Sequence, residues 1–365
     1  MPKSQSFRAC PIANRIYLDH AATSPLRPEA RAAMDEGFGH WANPSSPHAE
    51  GRAARKLLED ARERAKAALG WKGEVIFTSG ASEAAALALQ HAQAGARLVS
   101  AVEHDCILQA APDAERLPVR SDGALDLEVL TEAVQRERPL VIVQQVNSET
   151  GSRQDVPAIA GIVHQAGGLL LADCAQGAGK MALPEGADLG IVSAHKFGGP
   201  IGVGALLVKD YAMLTPSGGQ ERGYRRGTEN MPGVLGMAAA LEACSDRYVD
   251  PQVFEPLEVL ADECRKLGGT WLSDRLSDPT PYIRAIAMPN MSATAQVMRF
   301  DMTGIAVSQG SACSSGTMKT SRVLEAMQVE PEVAANTIRV SLGWNTTRAE
   351  VERFCEVWLD LARPR

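Results

Sequence analysis

The feature that most constrains this chain is a recurrence of short, continuous apolar runs: "EVIFTSG" (74–80), "ARLVSAVEH" (96–104), "PLVIVQQVNS" (139–148), "GLLLADCAQ" (168–176), "DLGIVSAHK" (188–196) and "VGALLVKD" (203–210). Each run ends in polar or small residues, and helix-like stretches separate them. Continuous rather than alternating apolar character marks a strand covered on both faces. Strands that alternate with helices build a mainly parallel sheet. The pattern therefore predicts an α/β fold whose ligands sit beyond the carboxyl ends of the strands. Ahead of the first run, "EGRAARKLLEDARERAKAAL" predicts a helix over 50–69 with Ala53, Leu57, Ala61, Ala65 and Ala68 as its apolar face.

Beyond residue 248 the pattern changes. "YVDPQVFEP" interrupts the preceding helix with two prolines, and fewer strand–helix units follow. Thr347 and Glu350 open a final helix as a capping box ahead of the apolar stripe Val351, Phe354, Trp358 and Leu361. We expect a large domain over 16–248 and a smaller α+β domain over 249–365, with residues 1–15 packing on the smaller one.

Composition narrows the function. A formal charge of −7 offers no general basic face for nucleic acid. No apolar run reaches the roughly 20 residues that cross a bilayer, and the N-terminus has no apolar stretch of a signal peptide. These point to the cytoplasm. The seven cysteines are Cys10, Cys106, Cys174, Cys244, Cys264, Cys313 and Cys355. They are odd in number, scattered and without a CxxC pair, as reduced thiols with no zinc site are. Cys244, Cys264 and Cys355 lie in helix-like patterns and read as small buried hydrophobes.

Two residues at strand ends carry chemistry. Asp173 follows "LLLA", and one βα unit later His195 and Lys196 close "GIVSAHK". On its own the pair reads equally as a buried ion pair. It also meets the needs of pyridoxal phosphate, which takes a lysine for its aldehyde and a carboxylate to keep its ring nitrogen protonated. Phosphate would then meet the turn around Gly80, Ala81 and Ser82, where a strand gives way to an alanine-rich helix. A capping serine without a ligand would look the same. Ser193 and His195 are a second donor set.

The ordered set "YLDHAATSP", "NPSSPH", "FTSGASE", "VEH", "NSETG", "ADCAQGAGK", "SAHKFGGPIGVGAL", "GGQERGYRRGTEN", "GSACSSG" and "IRVSLGWNTT" resembles the cysteine desulfurases of the NifS/IscS type. These belong to the class V aminotransferase branch of fold-type I pyridoxal phosphate enzymes. The resemblance runs from about Ile16 to Thr347. It implies Lys196 as the residue joined to pyridoxal 5'-phosphate, Asp173 at the pyridine nitrogen, Gln176 at the phenolic oxygen, and His104 stacked on the ring and moving protons. It implies Ala81, Ser82, Ser193 and His195 at the phosphate. Thr228 would reach the phosphate of a neighbouring subunit, hence a homodimer. Asn43 and Arg339 would hold the carboxylate of the substrate, L-cysteine. Lys196 would move the substrate's Cα proton, Cys313 would take its sulfur as a persulfide, and alanine would leave. A cysteine among small Ser and Gly residues suits that task, because a loop with few packing contacts opens at low cost.

Three departures stand out. Ser148 replaces the family's second Asn in "NNE", so either its hydroxyl or an adjusted Asn147 meets the phenolic oxygen. Gln220 replaces the histidine of "GGxHERG". Only 22 residues follow Gly343, so the tail by which housekeeping members dock an iron–sulfur scaffold is not expected. The acceptor protein that takes the sulfur stays open between iron–sulfur assembly, tRNA thiolation and cofactor synthesis. Competing readings are a selenocysteine lyase, a lyase releasing sulfide, an aminotransferase, or a cofactor-free scaffold.

Overall fold

The computed structural model describes residues 15–244, 247–310 and 321–363. Cys313 and residues 1–14 lie outside these. Of the segment expected to pack on the C-terminal part, Arg15 alone is described, and its guanidinium pairs with Asp301.

Strand β1 (Ile16–Tyr17) is followed by helices α1 (Pro28–Gly39) and α2 (Ala49–Leu69). Seven strands then build one sheet: β2 (Glu74–Thr78), β3 (Arg97–Ser100), β4 (Glu115–Leu117), β5 (Leu140–Gln144), β6 (Leu169–Asp173), β7 (Leu189–Ser193) and β8 (Gly204–Val208). Their order is β2-β8-β7-β6-β5-β3-β4. The pairings among β3 to β7 are parallel, and β8 runs antiparallel to both neighbours. All six apolar runs are strands of this sheet. The seventh strand, β4, is short and half polar, too weak a pattern to read in advance.

Both faces of the sheet are covered, as the continuous runs require. Val75 and Phe77 enter one apolar cluster, together with Ala30, Leu58 and Met237 from helices. Ile76, between them, enters another with Ala84 and Leu89 of α3 (Ala81–His91). The helix Met231–Glu242 is buried along nearly its whole length. Gly236 lets it approach α1 closely, for a Cβ there would meet Met34 Cγ at 2.6 Å.

The inward face of α2 differs from expectation by one position. Ala54, Leu58, Ala61, Ala65 and Leu69 are buried, whereas Ala53 and Ala68 are exposed and Leu57 is half-buried. Arg62 explains the rotation. Its guanidinium is buried and meets Glu221 through two contacts, of 2.8 and 3.1 Å. Glu221 Oε2, the oxygen of the shorter contact, also accepts from Phe77 N at 2.8 Å. An ion pair enclosed this way turns the helix until Arg62 points inward.

The C-terminal part contributes a second sheet. Antiparallel strands β9 (Thr270–Trp271), β10 (Ile283–Ala287) and β12 (Thr337–Ser341) lie in the order β12-β10-β9. Strand β11 (Ile305–Ala306) instead pairs in parallel with β1. The helix Arg348–Ala362 starts with the expected capping box of Thr347 and Glu350. Phe354 and Trp358 belong to the same apolar cluster as Val75 and Phe77, so that cluster runs across position 248.

Candidate functional site

At the carboxyl ends of the parallel strands lies a cavity of about 630 Å3. Its wall includes Asp173, Gln176 and Lys196, with Ala81, Ser82, Ser193 and His195 among its other residues. His104, Ser148 and Arg339 also line it.

Asp173 is the last residue of β6 and is buried. Burial raises its pKa, while a 2.9 Å hydrogen bond from Ala175 N and the nearby His104 and Lys196 oppose that rise. Lys196 ends the single turn Ala194–Lys196 that follows β7. Its Nζ donates to the carbonyls of Ala21 at 2.7 Å and Ala22 at 2.9 Å. Gln176 Nε2 donates to the same Ala21 carbonyl at 2.7 Å. His104 caps the short helix α4 (Asp105–Ala110), its Nδ1 accepting from Cys106 N at 3.2 Å. Burial lowers the pKa of His104, while the nearby Asp173 opposes that fall.

One end of the cavity is rich in donors. Gly80 precedes α3 at φ +150°, and no side chain caps that helix. Its first N–H groups therefore need another acceptor. Ser82 and Ser193 stand beside it. His195 shares a 3.1 Å contact with Thr23 Oγ1, and burial pushes its pKa down to about 4. An uncapped helix N-terminus beside two hydroxyls and an imidazole suits a phosphate. A carboxylate and a primary amine in the same cavity suit a ring nitrogen and an aldehyde. The residues present thus fit pyridoxal 5'-phosphate, and the uncapped helix is the observation on which the fit rests.

Arg339 forms the other end. It stands on β12, buried, with Nη2 donating to Asp19 Oδ1 at 2.6 Å. Nη1 donates to the carbonyls of Ser148 at 3.0 Å and Gly310 at 3.1 Å. Its Nε is buried and has no partner among the described residues. An unmet donor on a guanidinium edge is what an incoming carboxylate would satisfy.

Ser148 and Asn147 both line the cavity, and the Asn147 amide also holds its own turn. Asn147 Oδ1 accepts from Glu149 N and Thr150 N, both at 2.9 Å, and its Nδ2 donates to Val102 O. Both residues weighed for the phenolic oxygen therefore stand at the cavity, Asn147 with its amide engaged in the turn. Gln220 Oε1 accepts from Gly227 N at 3.1 Å and so ties the loop that carries Thr228. Thr228 itself is exposed and outside the cavity. Asn43 is also exposed and outside, its Oδ1 accepting from Ser45 N at 2.9 Å. Cys313 lies in the segment 311–320, outside the described residues.

Among the wall residues that had not been singled out from the sequence are Glu103, Cys106, Glu149 and Arg322. Glu103 is fully buried, one oxygen accepting from Gln144 N at 2.6 Å, and burial beside Asp173 raises its pKa well above the usual carboxyl range. Cys106 places Sγ 3.1 Å from His104 Nδ1, and burial pushes that thiol up to about 12. Glu149 accepts from Ser321 Oγ at 2.6 Å. Arg322 pairs with Asp105 at 2.8 Å. Glu103 and Cys106 flank His104 within two positions, so the motif "VEHDC" held the only available signal. Cys174 is buried, as strand alternation from Asp173 requires.

Comparison with known proteins follows the same lines. The family described as aminotransferase class-V matches residues 16–354. A cysteine desulfurase of Cereibacter sphaeroides is 36% identical over 94% of this chain and 94% of its own length. An X-ray structure of a NifS-like protein from Rickettsia africae superposes with a TM-score of 0.85 at 30% identity, covering 95% of this chain and 99% of that one. A structure described as SspA in complex with cysteine gives 0.76 at 26% identity, covering 91% and 99%.

Proposed function

This chain is a member of the class-V aminotransferase family, and from that premise we propose that it is a cysteine desulfurase. It removes sulfur from L-cysteine with the help of pyridoxal 5'-phosphate, releases L-alanine, and keeps the sulfur as a persulfide on Cys313. The thiol of Cys313 and free cysteine enter; alanine and a Cys313 persulfide leave, so atoms and electrons balance without an added oxidant. The observation that carries this reading is the meeting of Asp173 and Lys196 in one cavity, at the ends of adjacent strands, beside an uncapped helix.

When bound, the cofactor supplies an electron sink that makes the substrate's Cα proton acidic and its sulfur open to attack. The chain supplies the rest. Ala81, Ser82, Ser193 and His195 hold the phosphate, and Asp173 holds the pyridine nitrogen protonated. Gln176 and Ser148 donate to the phenolic oxygen. Arg339, with Asn43, holds the substrate carboxylate. Lys196 Nζ moves the Cα proton, and His104 lies over the ring and shuttles protons at Nε2. Residues 16–248 form the cofactor-binding unit, and residues 249–365 a smaller unit that brings Arg339 and Cys313 to it.

The exposed Thr228 reaches the phosphate site of a second copy, which makes the enzyme a homodimer. The compartment is the cytoplasm; among the described residues no helix is long and apolar enough to cross a membrane. The sulfur passes on to an acceptor protein. A Cys313→Ala variant tests the reading. It is expected to keep the visible absorbance of the holoenzyme and to lose persulfide formation from cysteine. Undiminished alanine release without added thiol would refute the role of Cys313.

A further inference from the structure

Lys180 closes the motif "ADCAQGAGK" and has no task in the reaction as described. It is outside the cavity wall, one turn beyond Gln176. Its Nζ donates to Gln176 Oε1 at 2.9 Å and lies 5.3 Å from the ring centres of both Tyr248 and Tyr282. Those rings meet edge to face, 5.8 Å apart. Tyr282 Oη donates to the Gln176 carbonyl at 2.9 Å, and Tyr248 Oη contacts Ser24 Oγ at 2.8 Å. The amine is thus held in an aromatic cage. The other titratable groups that act on it are Lys196, Cys244 and Arg339, with His20 close by. Among the described residues no carboxylate lies within ion-pair distance of Lys180.

A half-buried amine without a carboxylate partner among the described residues is costly to keep. Among the described residues, its one polar side-chain hydrogen bond is to the amide oxygen of a residue that faces the cavity. That oxygen only accepts, so the amine donates to it whether charged or neutral. With the oxygen end fixed, the amide cannot flip, and Nε2 is the end turned to Ala21 and the cavity. One N–H of Nε2 is taken by the Ala21 carbonyl; the second is available to a ligand.

We propose that Lys180 is a positioning residue for the reaction: it fixes and polarises the Gln176 amide so that an N–H donor, never a carbonyl, faces the phenolic oxygen of the cofactor. The proposal rests on the reading of Gln176 given above. A donor strengthened from behind stabilises the phenolate. Stabilised phenolate lowers the pH midpoint at which the visible band of the holoenzyme, near about 420 nm, changes form. Removing the cage amine must therefore raise that midpoint.

The experiment is a pH titration of that band in four holoenzymes: wild type, Lys180→Met, Gln176→Ala, and the double variant. Lys180→Met is expected to raise the midpoint by about one pH unit and to weaken cofactor retention several-fold. In the Gln176→Ala background the same change is expected to move the midpoint no further. A shift of equal size in both backgrounds would overturn the proposal, as would no shift from Lys180→Met where Gln176→Ala does shift it. No shift from Gln176→Ala itself would instead remove the Gln176 contact, and the proposal with it. If Lys180→Met does not fold, Lys180→Ala is read in the same two backgrounds.

Discussion

Asp173 and Lys196 are 23 residues apart, one ending β6 and the other in the turn that follows the neighbouring parallel strand β7, whereas Arg339 reaches Asp19 across 320 residues of chain. The first end of the cavity takes its geometry from sheet register. Once β6 and β7 pair, the residues that follow them share one rim. The second end needs the start of the chain, a loop after β5 and a C-terminal strand to arrive together. Residues 19–22 join the two: Asp19 holds Arg339, while the Ala21 and Ala22 carbonyls hold Lys196 and Gln176. The cofactor end is thus local and the substrate end long-range, and a four-residue strap serves both.

The sharpest break in that comparison is expected from Lys196→Ala. It should lower single-turnover alanine release by about a hundred- to ten-thousand-fold, the range supplied by a proton-transfer group. Arg339→Ala should strike the other end alone. We expect KM for cysteine to rise about ten- to a hundred-fold, the worth of a charged hydrogen bond, with the visible spectrum unchanged. An altered spectrum in that variant would mean that the two ends are not separable.

The strap itself is tested by acid. Burial pushes the pKa of His20 down to about 3, so the folded state takes up its proton much later than the unfolded chain does. Between pH 6.5 and 3 the unfolded state binds more protons, and stability falls as pH falls. By pH 5 the loss should be about 2 kcal/mol. Thermal melts from pH 7 to 5 should therefore be steeper for wild type than for His20→Asn, and parallel curves would contradict this. The smallest effect is expected from Ser148→Ala. Losing one neutral hydrogen bond should weaken cofactor retention about two- to tenfold, measured by dialysis and absorbance.

The same contrast governs what the sequence revealed. The strand runs were legible because burial on both faces leaves an unbroken apolar string, and the residues after each string had to share one rim. Asp173, Lys196 and the turn at Gly80 followed from that alone. Arg339 did not: "IRVSL" reads as any strand, and its role came through the resemblance. Asp19, Glu149 and Lys180 stayed hidden because each acts through a partner distant in sequence or fixed by side-chain packing. The face of α2 was misjudged by one position for a related reason, since a buried Arg62 counts as polar until its partner Glu221 is known.

The central claim is that one thiol, Cys313, receives sulfur from free cysteine at the cavity that holds Lys196. Mass spectrometry of peptides after the holoenzyme meets L-cysteine tests it most directly. The peptide bearing Cys313 should gain the mass of one sulfur atom, and should not gain it in Lys196→Ala. An added sulfur on Cys106 or another thiol, with the Cys313 peptide unmodified, would contradict the account.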